Sequence, residues 1–183
     1  MSKKNIILGV SGSIACYKAA ELASRLTQAG RNVNVVMTKH ATEFVAPLTF
    51  QTLSRNPVTT GIFDEKESWH PGHISLADSA DLLLIAPATA NTIAKLACGV
   101  ADDALTSIAL ATQAPLLIAP AMNGKMWMHA ATQENIARLK SRGARFVGPE
   151  EGLLACGYEG IGRLWETVGI LEEVEKILSS ERA

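Results

Sequence analysis

A thiol, a guanidinium and three glycines lie close together in the segment that follows Leu154. Cys156 is able to donate a proton, and Arg163 is able to bind an anion or to anchor the segment. The glycines permit the backbone to move, so we expect a flap around residues 150–164 that closes over a ligand. An ordinary glycine-rich loop with an idle cysteine is an equally good interpretation of these residues.

A second candidate for chemistry is the stretch Pro120-Ala121-Met122-Asn123-Gly124-Lys125-Met126-Trp127. Asn123 comes directly after an apolar run and carries a neutral amide whose NH₂ group donates to a carboxylate. Met126 and Trp127 are large apolar side chains, which pack in a core more often than they contact a ligand. We therefore expect Asn123 to be the residue of this stretch that contacts a substrate.

A third candidate is His73, which stands in the loop-like stretch His70-Pro71-Gly72-His73-Ile74. A role in catalysis and simple exposure to solvent fit this histidine equally well. His70 and His73 have the chemistry of metal ligands, but no third ligand stands nearby in the sequence. We predict no metal site.

Two further turns have the composition of an anion site. Residues 9–15 open a helix, where free backbone N–H groups and the helix dipole favour a phosphate. A tight turn with Ser13 as the helix N-cap is the alternative. Thr38-Lys39-His40 stands where an NAD site needs an acidic residue for the ribose. A hydroxyl followed by two cationic or titratable groups suits a phosphate better, which favours a mononucleotide over NAD.

The hexapeptide Leu-Leu-Ile-Ala-Pro-Ala occurs at residues 83–88 and again, 33 residues later, at 116–121. That spacing is about one βαβ unit, so we expect two neighbouring strands that deliver similar loops to one sheet edge. The first copy leads into Thr89-Ala90-Asn91-Thr92, which either caps a helix or holds a phosphate or a polar ring edge. Two buried strands that merely share favourable residues are the alternative.

Short apolar runs alternate with segments of helical periodicity along the chain, which predicts a parallel sheet. The predicted fold class is α/β, with a single Rossmann-like doubly wound parallel sheet and helices on both faces. We predict strands over residues 5–10, 32–37, 81–86, 116–119 and 145–147. Predicted helices cover residues 14–29, 40–53 in two pieces around Pro47, 91–97, 103–111, 125–141 and 165 to about 180.

Composition excludes several classes of protein. Hydrophobic residues make up 48% and charged residues 19% of the chain, so a packed core is expected and disorder is not. A formal net charge of −1 without any basic cluster argues against nucleic acid as a partner. The uncharged stretch 104–124 is broken by two prolines, so we predict no membrane span. Three widely spaced cysteines predict no disulfide framework and a reducing cytoplasm.

Together these motifs resemble those of the homo-oligomeric flavin-containing cysteine decarboxylases, from Asn5 to about Trp165. Residues 120–127 are similar to the family's PxMNxxMW motif without a mismatch. Residues 89–92 resemble its SANT motif, with threonine in place of serine. The cysteine, glycines and arginine of the flap resemble the substrate clamp of the pantothenoyl branch. His73 stands where the family has its active-site histidine.

The resemblance implies a carboxy-lyase that uses FMN, not FAD, with the phosphate near Gly12, Ser13 and Thr38. The implied cofactor site consists of Gly12, Ser13, Ile14, Thr38, Thr89, Ala90, Asn91, Thr92, Ala121 and Met122, the last two beside the ring. The implied catalytic residues are His73, Asn123 and Cys156, and the implied substrate contacts are Asn123, Leu154, Ala155 and Arg163. A homotrimer with the flavin at a subunit interface is also implied, either alone or assembled into a dodecamer.

The implied substrate is the small molecule 4′-phospho-N-pantothenoylcysteine, and the products are 4′-phosphopantetheine and CO₂ in coenzyme A biosynthesis. A cysteine carboxylate has no adjacent electron sink. Oxidation of the thiol-bearing carbon by FMN gives a thioaldehyde, whose sulfur accepts electrons as CO₂ leaves. Asn123 would hold the carboxylate, and His73 would assist proton transfer or orientation. The resulting enethiolate takes back hydride from reduced FMN and a proton from Cys156.

Other functions are kept as alternatives. A peptidyl-cysteine decarboxylase stops at the enethiol and lacks the flap cysteine. A flavin prenyltransferase needs neither the Asn123 motif nor Cys156, and a non-catalytic flavin-binding regulatory subunit typically carries a long acidic tail. Many bacterial relatives continue into a synthetase domain, whereas this sequence stops at Ala183. A stand-alone decarboxylase domain over residues 1–183 and part of a bifunctional protein both fit.

Overall fold

The computed structural model describes residues 3–62 and 72–180, and five of its strands form one parallel sheet. The strands are β1 (Asn5–Val10), β2 (Asn32–Met37), β3 (Leu82–Ala88), β4 (Leu116–Pro120) and β5 (Arg145–Phe146). Their order across the sheet is β2-β1-β3-β4-β5. The strand order therefore reverses between β1 and β3, and an open α/β sheet has a crevice at its carboxyl edge at such a switch point.

Helices cover both faces of the sheet, which buries the apolar runs on both sides. One layer contains α1 (Cys16–Gln28), α2 (Pro47–Ser54) and α8 (Thr167–Ser180). The other contains α3 (Gly72–Ser79), α4 (Ala90–Cys98), α5 (Ala104–Ala111) and α7 (Ala130–Ser141). Every residue of β3 is buried, as expected of a central parallel strand. The predicted doubly wound α/β fold is confirmed.

The repeated hexapeptide occupies two neighbouring strands in register. Leu83 pairs with Leu116 and Ile85 with Ile118. The pairing then shifts so that Ala88 lies beside Pro120, an irregularity typical of strand ends near functional sites. Both copies therefore deliver their loops to the same edge of the sheet, as the sequence predicts.

The structure divides the helix that we predict over residues 125–141. A short helix, α6 (Gly124–Met128), ends before His129, which has an extended conformation (φ −64°, ψ 135°). The Nδ1 of His129 accepts the N–H of Ala131 at 3.2 Å and so caps α7. No glycine or proline marks this break in the sequence, which is why periodicity alone predicts a single helix.

The predicted loop around His73 is wrong, because His73 is the second residue of α3. This helix buries Ala77 in the core, and the Thr112 hydroxyl donates to the Ala77 carbonyl at 2.9 Å. Since Ala77 is its one fully buried residue, the helix shows too little periodicity to be predicted. His70, the other member of the histidine pair, lies outside the described residues.

The predicted flap folds as an antiparallel hairpin of β6 (Glu150–Leu153) and β7 (Glu159–Arg163). In the turn between them, the N–H of Gly157 donates to the Leu154 carbonyl at 2.9 Å. The closing helix α8 begins at Thr167, slightly later than predicted. In the part of the chain that the structure describes, no helix is long and apolar enough to cross a membrane.

Candidate active site

A buried hydroxyl joins the loops that follow β1 and β3. The Oγ of Ser11 donates to the Pro87 carbonyl at 2.7 Å and accepts the Thr89 N–H at 3.0 Å. The Ser11 N–H also donates to the Pro87 carbonyl at 3.2 Å. These bonds fix the separation of the two loops across the switch point. The sequence-based prediction omits Ser11, although a hydroxyl directly before Gly12 at a strand end is a usable signal.

The loop after β2 lies against the turn after β1. A Cβ atom at Gly12 would lie 2.4 Å from the Cβ of His40, so only glycine fits there. Thr38 is buried, and its N–H donates to the Val10 carbonyl at 3.0 Å. The structure therefore brings the predicted phosphate residues of the two loops together.

The first helix begins without a side-chain cap. Its N-cap is Ala15, which makes no side-chain cap bond, while the Ser13 Oγ accepts the Ala15 N–H at 3.3 Å. The tight turn with a Ser13 side-chain bond to the helix start is therefore present, although the N-cap position itself is Ala15 and not Ser13. The N–H groups of Gly12 and Ile14 have no acceptor among the described residues, so they are available to an anion.

The loops after β1, β2, β3 and β4 surround a cavity of about 550 Å³, here called the loop cavity. Its volume is within the range of small-molecule and cofactor sites. Its lining residues are Gly12, Ser13, Thr38, Lys39, His40, Thr89, Ala90, Asn91, Thr92, Lys95, Asp102, Asp103, Ala121, Met122 and Met126. Every predicted cofactor residue except Ile14 lines the loop cavity.

Within residues 89–92, the capping interpretation is confirmed for Thr89. Its Oγ1 accepts the Thr92 N–H at 3.3 Å and lies 3.1 Å from the Thr92 Oγ1. Thr92 itself is buried. Asn91 is exposed and lines the loop cavity, so contact between Asn91 and a ligand stays a prediction.

A second cavity of about 460 Å³, here called the hairpin cavity, lies between the start of α1, the loop after β4 and the β6–β7 hairpin. Its lining residues are Ser13, Ile14, Ala15, Tyr17, Lys18, Ala121, Met122, Asn123, Leu153, Leu154, Ala155, Cys156, Gly162, Arg163 and Leu164. All the predicted substrate residues are among them. Ser13, Ala121 and Met122 line both cavities, so the two share a wall.

Two of the three predicted catalytic residues meet in the hairpin cavity. The Nδ2 of Asn123 lies 3.4 Å from the Sγ of Cys156. The Oδ1 of Asn123 accepts the Lys125 N–H at 2.9 Å, which fixes the amide with its NH₂ group toward the thiol. A carboxylate in this cavity would meet an amide donor and a thiol together.

Backbone contact holds the hairpin to the loop after β4. The Met122 N–H donates to the Gly162 carbonyl at 2.9 Å. A Cβ atom at Gly162 would lie 2.1 Å from the Met122 carbonyl oxygen, and one at Gly124 would lie 2.7 Å from the Ile161 carbonyl oxygen. Glycine is therefore required on both sides of this contact, which sets the position of the thiol at the hairpin tip.

Arg163 anchors the base of the hairpin, as one of its two predicted roles requires. Its Nη2 donates to the Glu150 Oε2 at 2.9 Å and to the Glu166 Oε1 at 2.6 Å. Hydrogen bonding to Glu150 raises the pKa of Arg163 above its usual range. The Nε of Arg163 is buried and has no partner among the described residues. Binding of an anion by Arg163 stays a prediction.

His73 is the predicted catalytic residue that this chain does not bring to the others. It lines neither the loop cavity nor the hairpin cavity. Its Nδ1 is buried and lacks a hydrogen-bond partner within residues 3–62 and 72–180. Across those same residues, no group of three or more His, Cys, Asp or Glu side chains is arranged to hold a metal ion.

Met126 and Trp127 differ in burial. Trp127 is partly buried and packs against the core cluster on the side of the sheet that α3, α4, α5 and α7 cover, as the sequence predicts. Met126 is 49% exposed and lines the loop cavity, so the expectation that it packs in the core is wrong. Adjacent residues of a helix lie about 100° apart around its axis, so Trp127 faces the core while Met126 faces the loop cavity.

Residues 1–179 match the sequence pattern of the family described as Flavoprotein. The chain belongs to the flavoprotein family. This flavoprotein is 52% identical over 181 residues to the coenzyme A biosynthesis bifunctional protein CoaBC of Bacillus subtilis, covering 99% of this chain and 45% of that protein. It is 49% identical over 177 residues to a probable phosphopantothenoylcysteine decarboxylase of Streptococcus mutans, covering 96% of this chain and 99% of that protein.

Solved structures share the fold of this flavoprotein. A mutant PPC decarboxylase in complex with pantothenoylaminoethenethiol has a TM-score of 0.88 and 33% identity, covering 97% of this chain and 100% of that chain. The FMN-dependent cysteine decarboxylase SpaF has a TM-score of 0.85 and 31% identity, covering 98% of both chains. The chain spans about half the length of the CoaBC relatives that it matches.

Proposed function

We propose that this flavoprotein catalyses the FMN-dependent oxidative decarboxylation of 4′-phospho-N-pantothenoylcysteine to 4′-phosphopantetheine and CO₂, a step of coenzyme A biosynthesis. The observation that carries the proposal is the 3.4 Å contact between the Asn123 amide and the Cys156 thiol, beside the wall shared by the two cavities. The relatives described as CoaBC and as phosphopantothenoylcysteine decarboxylases support it. Residues 1–183 are the proposed decarboxylase domain.

The loop cavity fits FMN. Its volume of about 550 Å³ suits a mononucleotide. The N–H groups of Gly12 and Ile14, which have no acceptor within residues 3–62 and 72–180, and the buried Thr38 suit a phosphate at the start of α1. Ala121 and Met122 offer an apolar wall for the ring. When bound, FMN supplies a two-electron acceptor for the thiol-bearing carbon of the substrate, which creates the sulfur electron sink that loss of CO₂ needs.

Asn123 and Cys156 have separate tasks in this proposal. The Asn123 NH₂ group holds the substrate carboxylate against the shared wall. A neutral amide orients the carboxylate without the strong ground-state stabilisation that a cation would give, so release of CO₂ is not opposed. After CO₂ has left, the Cys156 thiol provides the proton that completes the saturated product. Leu154, buried beneath the hairpin tip, shields the cavity from water.

We propose a homotrimer, alone or within a dodecamer, with the flavin at a subunit interface. Within one chain His73 lines neither cavity, and its buried Nδ1 lacks a partner in the described part of the structure. A neighbouring subunit that supplies its His73 to the site would account for the absence of His73 from both cavities of its own chain. Met126, which lines the loop cavity, and Met128 are 49% and 67% exposed and provide apolar surface for such an interface.

The proposed chemistry requires a reducing compartment. Cys156 must stay a free thiol in order to donate its proton, and Cys16, Cys98 and Cys156 are all free. Disulfides do not persist in the cytoplasm. We therefore propose the cytoplasm as the location of this protein.

A peptidyl-cysteine decarboxylase is the second candidate, since the FMN-dependent cysteine decarboxylase SpaF has the same fold. A thiol in contact with Asn123 favours the complete redox-neutral cycle over release of an enethiol. A flavin prenyltransferase or a non-catalytic regulatory subunit would not require the contact between Asn123 and Cys156.

Release of CO₂ by the purified FMN-loaded protein tests the proposal. We expect CO₂ from 4′-phospho-N-pantothenoylcysteine and little from a peptide that ends in cysteine. Asn123→Asp places a negative charge against the substrate carboxylate, so we expect a loss of at least about 100-fold in kcat/KM. Asn135→Asp, on the outer helix α7, is the matched control and should retain full activity. Release from the peptide alone would establish the second candidate, and no CO₂ from either substrate would refute both.

A further inference from the structure

We propose that Lys18 and Arg163 bind the terminal phosphate of the substrate, and that the Glu166 carboxylate occupies this position until the phosphate replaces it. The inference rests on the proposed function for the identity of the substrate. It adds Lys18 and Glu166 to the site, two residues that neither the sequence motifs nor the names of the relatives single out.

Lys18 and Arg163 both line the hairpin cavity, in which Asn123 and Cys156 meet. Lys18 reaches the cavity from the first turn of α1, and Arg163 reaches it from the end of β7. The other described residues that line this cavity are apolar or neutral. A charged anionic group that enters the cavity therefore finds its counter-ions at these two side chains.

One carboxylate bridges the two cations. The Glu166 Oε1 lies 2.6 Å from the Arg163 Nη2 and 3.3 Å from the Lys18 Nζ. Glu150 completes the cluster, with its Oε2 2.9 Å from the Arg163 Nη2 and its Oε1 accepting the Glu166 N–H at 3.0 Å. Two cations thus face two carboxylates, and the charges of this cluster balance.

Glu166 is the carboxylate that can be exchanged. Its side chain is 55% exposed, whereas that of Glu150 is 22% exposed. Glu150 uses both of its oxygens, while Glu166 contacts the cations through Oε1 alone in the described structure. The Arg163–Glu166 pair is exposed and contributes little free energy, so the cost of rotating Glu166 into solvent comes mainly from its contact with the more buried Lys18, which an incoming anion restores. Lys18 and Arg163 then face only the Glu150 carboxylate. The excess positive charge favours an incoming anion at the position that Glu166 has left.

Arg163 also has an unused donor. Its Nε is buried and has no partner among the described residues, which is unusual because a buried donor normally finds an acceptor. Phosphate has three acceptor oxygens and binds guanidinium groups through two parallel hydrogen bonds. The three acceptor oxygens of a phosphate allow it to contact both Arg163 and Lys18, which Glu166 contacts through Oε1 alone.

The length of the hairpin fits the length of the substrate. Arg163 pairs with Glu150 at the hairpin base, and Cys156 lies in the turn at residues 154–157. The four residues of β6 between base and turn span about 14 Å. The substrate has about eleven bonds between its phosphorus and its cysteine Cα, and an extended chain covers about 13 Å over that many bonds. With its phosphate at Arg163, the substrate brings its cysteine to Cys156.

Calorimetric binding of 4′-phosphopantetheine and of pantetheine to the FMN-loaded protein tests the proposal. We expect the wild-type protein to bind the phosphorylated ligand about 100-fold more tightly, which corresponds to two charge-assisted hydrogen bonds. Lys18→Gln should reduce this ratio at least about tenfold and leave the affinity for pantetheine unchanged. Glu166→Gln should increase the ratio, because it removes the competing charge. Lys176→Gln, in an exposed pair with Glu173 on α8, is the control and should keep the wild-type ratio.

An unchanged ratio in Lys18→Gln would overturn the proposal, and so would an equal loss of affinity for both ligands, which indicates a structural role. The FMN dissociation constant of Lys18→Gln distinguishes binding of the FMN phosphate from binding of the substrate phosphate at Lys18. If FMN binding weakens and the ratio stays the same, Lys18 serves the cofactor and the proposal is wrong. If the ratio changes as expected but the wild-type protein releases no CO₂, the phosphate site stands and the proposed function fails.

Discussion

At the scale of single residues, the proposed reaction divides between two side chains from different parts of the chain. Asn123 is fixed by the Lys125 N–H and lies 3.4 Å from the Cys156 thiol at the hairpin tip. In the proposed reaction the amide orients the substrate carboxylate, and the thiol provides a proton. Substitutions at the two positions should therefore separate the release of CO₂ from the formation of the saturated product.

We predict that Gly12→Ala weakens FMN binding at least about tenfold, because a Cβ atom there lies 2.4 Å from the His40 Cβ and displaces the loop after β2. Quenching of flavin fluorescence measures the dissociation constant. Gly30→Ala is the control: it strains a backbone with φ of +79° but contacts no atom within 4 Å. It should lower the melting temperature without changing FMN affinity. Wild-type affinity in Gly12→Ala would contradict the placement of the phosphate.

The three cysteines should differ in reactivity. Burial raises the pKa of the Cys16 thiol, an effect that backbone hydrogen bonds only partly offset. Its S–H donates to the Ser11 carbonyl at 3.2 Å. We predict that iodoacetamide alkylates Cys98 and Cys156, which are exposed, and spares Cys16 until the protein unfolds. Peptide mass spectrometry measures the alkylation rate of each cysteine. Alkylation of Cys16 as fast as that of Cys98 would contradict the burial of the Cys16 thiol.

At the scale of elements, the contact between the hairpin and the loop after β4 positions the thiol. Gly162→Ala places a Cβ atom 2.1 Å from the Met122 carbonyl oxygen, so we predict that it frees the hairpin and lowers kcat/KM at least about 100-fold. Gly157→Ala is a matched control, since Gly157 also has a positive φ, +89°, but no atom within 4 Å. Limited proteolysis should cut the hairpin faster in Gly162→Ala alone. Equal effects of the two substitutions would mean that backbone strain, not the contact, matters.

Asp81 joins the ends of β1 and β3 at the edge of the sheet opposite the site. Its Oδ1 accepts from the Lys4 Nζ at 2.7 Å and its Oδ2 accepts the Asn5 N–H at 2.7 Å. Partial burial opposes ionisation, but these two bonds outweigh it and lower the pKa of Asp81. The carboxylate therefore stabilises the fold above its unfolded pKa of about 3.9, and this stabilisation is lost as the pH falls through the lower folded pKa.

We accordingly predict that Asp81→Asn lowers the free energy of unfolding by about 1–2 kcal/mol at neutral pH. Urea unfolding curves at neutral pH and at about pH 2 measure the difference in free energy of unfolding between the wild-type protein and Asp81→Asn. It should disappear in acid, where the wild-type carboxyl is also protonated. A difference that persists undiminished in acid would show that Asp81 acts through packing and not through its charge.

Much of the fold was predictable from local patterns. The strands predicted over 5–10 and 32–37 are Asn5–Val10 and Asn32–Met37, because each is a short apolar run with clear polar boundaries. The repeated hexapeptide correctly indicated two adjacent strands. The hairpin was not predictable as strands, since Glu150–Leu153 has no alternating apolar pattern. The helix break at His129 and the helix around His73 were also not predicted, because neither has a clear local pattern of turn residues or apolar periodicity.

The candidate site was predictable where a residue type carries its own chemistry. Asn123 and Cys156 were selected by their functional groups, and the structure brings them together. Ser11 and Glu166 were missed because their importance comes from contacts with residues distant in sequence. Ser11 reaches Pro87, and Glu166 reaches Lys18. No local pattern reports such contacts, which only the folded chain creates.

At the scale of the whole molecule, the proposed trimer shares its sites between subunits. We predict that His73→Asn and Asn123→Asp are each inactive, and that unfolding and refolding them together restores activity at roughly a quarter of the sites. Sedimentation should show a mass about three times the 19.5 kDa of the chain, or about twelve times that mass if the trimers assemble into a dodecamer. Each variant refolded alone is the control. Mixtures as inactive as the separate variants would mean that each site belongs to a single subunit.

The central claim is that CO₂ leaves only after the thiol-bearing carbon has been oxidised by the flavin. Its most direct test is a single turnover of FMN-loaded Cys156→Ser with 4′-phospho-N-pantothenoylcysteine without oxygen, in which CO₂ and oxidised-flavin absorbance are recorded together. We predict that CO₂ appears as the absorbance falls, and that the absorbance does not return because the proton donor is missing. Release of CO₂ while the flavin stays oxidised throughout would contradict the account.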